Sequence, residues 1–105
     1  MNPRTPRWQA MNAARDAKVL DAACAVAGET GLQGLTRRAV AERAGVALGS
    51  VNLSYGDLAG LHRAVVQEAI ARPLLGVLAQ ALAMGDPVAR DAPDGLKAEA
   101  LATVQ

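Results

Sequence analysis

The chain has 105 residues, 51% of them hydrophobic and 20% charged, with 11 Lys/Arg against 10 Asp/Glu for a net charge of +1. That length bounds it to one small domain with at most a short appendage, and because a core of this size buries only about two-thirds of the unfolded surface, a second copy is expected to add contact area. One cysteine (Cys24) and one histidine (His62) exclude an intramolecular disulfide, a Cys/His zinc cage and a multi-histidine metal site.

The apolar half is unusual in kind. It holds 24 Ala, 13 Leu and 10 Val but one Ile, one Trp, one Tyr and no Phe. Ala and Leu favour helices, whereas aromatic and β-branched sheet formers are scarce, so the expected fold is all-α. The longest uncharged runs, 44–56 and 73–85, fall short of the roughly 17 to 25 apolar residues that a bilayer demands. The basic start, with Arg4, Arg7 and Trp8, lacks the apolar core of a signal peptide. No membrane association is expected, and a reducing cytoplasmic setting is.

In chain order, Pro3 and Pro6 predict a loose basic arm over residues 1–11, with Arg4 and Arg7 either a minor-groove arm or an unordered terminus. Helical periodicity begins near Asn12 and continues to Thr30, with Val19, Leu20, Ala23, Val26 and Ala27 on one face. Gly31 and Gly34 stop that helix. Thr36 is placed to cap a short second helix through Ala44, which Gly45 ends. A third helix is expected over residues 48–54 and a fourth from the Asp57 cap to Arg72, where Pro73 forbids simple continuation. Residues 74–84 are apolar nearly all round and need covering; Leu74, Leu75, Leu78 and Leu82 are the expected dimer seam, in preference to a membrane-lying helix, which would carry a Lys/Arg fringe. Residues 85–95 read as a loop, with Asp94 as cap of a last weak helix to Val104.

Two short helices joined by a tight Gly-containing turn form a helix-turn-helix unit, whose second helix enters the major groove while the first braces it. The stretch that carries it is Leu35-Thr36-Arg37-Arg38, then Val40-Ala41-Glu42-Arg43-Ala44-Gly45-Val46, then Leu48-Gly49-Ser50-Val51-Asn52-Leu53-Ser54-Tyr55. Charge is distributed to match: residues 1–72 carry +3 and residues 73–105 carry −2. At about 100° per residue, Val51 and Tyr55 face inward, Gly49, Ser50 and Leu53 outward, and Asn52 and Ser54 lie on the flanks. Leu48 lies near the inner face, divided between packing and DNA contact.

With the first helix bearing Val19-Leu20-Asp21-Ala22-Ala23, and with Asp57 and Leu61 after the aromatic Tyr55, the run from Arg15 to Arg72 resembles the amino-terminal domain of TetR-family transcriptional repressors. The resemblance implies a TetR-like helix-turn-helix three-helix domain over residues 12–72, followed by a short helical dimerisation segment over 73–105. It also implies a homodimeric repressor on a palindromic double-stranded operator. The expected DNA-contacting residues are Thr36, Arg37, Arg38, Leu48, Gly49, Ser50, Asn52, Leu53, Ser54 and Tyr55, with Arg38 as a base reader. Asn52 suits adenine, and Leu53 offers a methyl contact to thymine.

The chain departs from the family where Asn52 replaces a usual Tyr, Ser54 a His, and Leu48 and Leu58 a common Lys. Residues 73–105 are also too few for the family's inducer domain, so neither a ligand cavity of ~300 Å³ nor a small-molecule ligand is expected. Neither a phosphate-loop nor a dinucleotide-binding glycine pattern is present, and His62 has no nucleophile and carboxylate at motif spacing, so no enzymatic activity, cofactor or metal is expected. The competing reading is a helical protein-interaction module that kept the repressor-like core and lost DNA binding.

Overall fold

The computed structural model of the chain describes residues 7–103, and these form helices without strands. In order they are α1 (Arg7–Thr30), a single 3-10 turn (Leu32–Gly34), α2 (Arg37–Ala44), α3 (Leu48–Tyr55), α4 (Leu58–Ala71), α5 (Leu75–Ala83), α6 (Pro87–Arg90) and α7 (Asp94–Thr103). The expected basic arm falls partly outside the described residues, Arg4 among them. Residues 7–11 are already helical: they contain neither Gly nor Pro, so nothing in them delays helix onset to Asn12.

Local chemistry sets the boundaries around the middle of the chain. The Thr36 hydroxyl accepts from Ala39 N at 3.1 Å, capping α2. At the other end Gly45 sits at φ 70°, with Gly45 N donating to Glu42 O (3.2 Å) and Val46 N to Ala41 O (3.0 Å). This is a Schellman closure, and its left-handed residue costs glycine nothing. Asp57 caps α4 through Gly60 N at 2.9 Å. Gly60 has a second role, because a Cβ there would overlap the Tyr55 carbonyl oxygen, so only glycine lets α4 start this close to the end of α3.

Helix α1 is the hub, in contact with α2, α3, α4 and α5. Its inner residues Val19, Ala23, Val26 and Ala27 join Val40 of α2, Val51 of α3 and Leu61, Val65 and Val66 of α4 in one buried cluster. Alanines on both sides, Ala23 and Ala27 on α1 with Ala41 and Ala44 on α2, allow the close approach that a core without Phe requires. Arg72 closes the far end, bridging Asp21 on α1 and Glu68 one turn back on α4.

The carboxy-terminal segment folds back onto this domain. Helix α5 packs on α4 and α7, and its Gln80 Oε1 accepts from Leu32 N at 2.6 Å, tying it to the turn after α1. Two expectations change here. Leu78, expected on a dimer seam, is wholly enclosed by this chain's own core, while Leu74, Leu75 and Leu82 are half-buried against it. The expected loop 85–95 contains α6, because Asp86 accepts from Val88 N (2.9 Å) and Ala89 N (3.2 Å) and Pro87 fits the first helical position.

Candidate nucleic-acid interface

Helix α3 is positioned by its inner face. Val51 is completely buried, and Tyr55 is half-buried with its hydroxyl donating to the Asp16 carbonyl at 3.1 Å. Burial, and then the nearby Asp16 carboxylate, push the Tyr55 phenol above its ordinary pKa. Arg15 Nε donates to Ser54 Oγ at 2.9 Å, so the last turn of α3 is fastened to α1 at two points. Tyr55 follows Val51 by one turn, so its side chain braces α3 from within, as its spacing predicts. Ser54 is likewise engaged by α1 through Arg15, which sequence spacing alone did not single out.

The opposite face is open. Leu53 is 74% exposed and Leu48 42%, placing Leu48 at the surface; Gly49 and Asn52 are also exposed, and Ser50 is half-buried. A Cβ at Gly49 would meet nothing within 4 Å, so the α3 backbone itself is approachable there. No residue of α3 is charged.

Cations come instead from α2. Arg37 Nη1 donates to Asn52 Oδ1 at 3.0 Å, linking the two short helices across their outer surface. Arg38 is exposed and makes no side-chain hydrogen bond or ion pair among the described residues. Arg43 is engaged elsewhere, holding Glu29 on α1 at 2.6 Å. Thr36, Arg37, Arg38, Leu48 and Leu58 line a shallow open groove of about 330 Å³ where the starts of α2, α3 and α4 converge. Leu58, 44% exposed, occupies its α4 wall and was not among the expected contact residues.

Sharing Leu58 with this groove, a second open groove of about 580 Å³ runs between α4 and α6, lined by Leu58, Ala59, His62, Arg63, Asp86, Pro87 and Val88. Residues 73–105 supply only one wall of it, and α4 the other. His62 Nδ1 lies 3.6 Å from Asp86 Oδ2, joining α4 to the cap of α6. Cys24 is buried in α1, and that burial raises its thiol pKa. Among the described residues no group of three or more His, Cys, Asp or Glu is placed to hold a metal ion, and no helix is long and apolar enough to cross a membrane.

The geometry is that of two short helices joined at a glycine turn, the second presenting an uncharged outer face beside the exposed Arg38. Comparison with known proteins agrees with it. No curated protein and no solved structure matches the chain. Residues 19–65, from α1 into α4, match the family model described as bacterial regulatory proteins, tetR family.

Proposed function

Through residues 19–65 the chain belongs to the tetR family of DNA-binding bacterial regulators, and on that premise we propose that it is a homodimeric repressor occupying a palindromic operator and excluding polymerase. Residues 12–72 are the DNA-binding unit, and residues 73–105 supply the dimer contact through the outward parts of Leu74, Leu75 and Leu82. Two copies of α3 related by a two-fold axis would read half-sites about one helical turn apart, or somewhat further. The protein acts in the cytoplasm without cofactor or catalysis, and its occupancy follows its own concentration or a protein partner.

The observation that carries this reading is the outer face of α3, where Leu48, Gly49, Asn52 and Leu53 stand exposed beside Arg38, which has no partner among the described residues. A helix braced at Val51 and Tyr55 and clear of the other described residues on its outer side suits insertion into a groove. Arg38 at its edge suits phosphate or base contact, with Arg37 beside it holding Asn52; Ser50 suits a base edge or phosphate, and the hydroxyl proton of Thr36 a phosphate oxygen.

A gel-shift of the full chain against the DNA upstream of its own reading frame tests the proposal. Specific retardation that weakens steeply with added salt is the expected result, as counterions displaced from phosphates return. The exposed Leu48 and Leu58 favour a second reading, a protein-interaction module, because apolar side chains hold no phosphate. Absence of binding even at low salt selects it.

A further inference from the structure

The outer face of α3 carries neither the Arg or Lys that pairs with guanine nor the Asp or Glu that accepts from cytosine. What it offers is a leucine 74% exposed at position 53 and, next to it, an amide of fixed orientation at Asn52. A guanidinium only donates, so the 3.0 Å bond from Arg37 Nη1 turns the Asn52 oxygen towards α2. The amide nitrogen is then directed away from Arg37, and it makes no hydrogen bond among the described residues. Gly49 lies one turn before Leu53 with open space about it, so a base edge can come against the helix backbone and reach the leucine.

We infer that this face reads thymine, with Leu53 covering the C5 methyl and the Asn52 amide, held by Arg37, donating to O4. Only thymine places an acceptor beside a methyl on its major-groove edge. Cytosine sets an amino donor where O4 would be, and the purines have no methyl. Arg37 is a positioning residue, acting on the base through Asn52. The inference rests on the operator binding proposed above and adds to it which base is read and how.

The test starts from duplexes selected by the full chain out of a random double-stranded pool, resynthesised with single thymines replaced. Deoxyuridine removes the methyl alone; 5-methylcytosine opposite guanine keeps the methyl and reverses the hydrogen bond. At one or two positions per half-site the chain should bind the uracil duplex about three- to five-fold more weakly, the value of one buried methyl group. Leu53→Ala should bind thymine and uracil duplexes equally yet still reject 5-methylcytosine. Arg37→Ala should keep the uracil effect and lose much of the discrimination against 5-methylcytosine, which Arg37→Lys, still a donor to Asn52, should restore. Selected duplexes that bind equally with uracil at every position overturn this inference and leave operator binding standing. If no duplex is enriched at low salt, both fall, and a protein partner is the occupant of the exposed leucines.

Discussion

Among the arginines near the helix-turn-helix, partners decide roles. Arg43 holds Glu29 and Arg37 holds Asn52, whereas Arg38 is exposed and has no side-chain partner among the described residues, so it can turn to DNA without breaking a contact with them. Arg38→Ala should therefore weaken binding to the cognate duplex by about 1 to 3 kcal/mol, and Arg43→Ala by much less, as read by titration at fixed salt. The outward turn of Leu53 was legible in the sequence from helical spacing. The inward turn of Tyr55 also followed from helical spacing, but its bond to the Asp16 carbonyl did not, because a contact 39 residues apart depends on where α1 lies. Tyr55→Phe removes that bond and should cost about 0.5 to 1.5 kcal/mol in denaturant unfolding. Since burial raises the Tyr55 pKa in the folded chain, its contribution is complete below pH 10 and lost as pH rises beyond. The phenylalanine variant should lack that alkaline loss.

The short helices are held by corners more than by their own propensity, since eight residues are too few to persist alone. Gly60 is the tightest corner, with the Tyr55 carbonyl where a Cβ would stand. Gly60→Ala should force α4 away from α3, lowering stability by about 2 kcal/mol or more and weakening DNA binding with it, measurable as a paired loss of melting temperature and affinity. Thr36→Ala removes the α2 cap and should cost about 1 kcal/mol, with a smaller effect on binding. The caps Thr36 and Asp57 and the stop at Gly45 were legible because each is a local signal. Helix α6 was not, because the aspartates and prolines of residues 85–95 read as loop formers, although Asp86-Pro87 is equally the start of a helix.

At the scale of the whole molecule, the described fold is a slab with extents of 45 × 30 × 19 Å, about two helix layers thick in its thinnest direction. Sequence length and alanine content foretold one small all-helical domain. They did not reveal that Leu78 would be used up within the chain, because an all-round apolar helix does not say which side its own neighbours take. The proposed dimer contact is left to the exposed parts of Leu74, Leu75 and Leu82, so, if the chain pairs there, the double variant Leu75→Lys with Leu82→Lys should shift it from dimer to monomer in sedimentation while retaining helical content. The claim on which the rest depends is that α3 enters the duplex. Amide shift mapping by nuclear magnetic resonance, with a selected duplex added to the full labelled chain, tests it most directly. The largest changes should fall on Gly49, Ser50, Asn52 and Leu53 and on Arg37 and Arg38; changes confined to α5 and α7, with α3 unmoved, would contradict it.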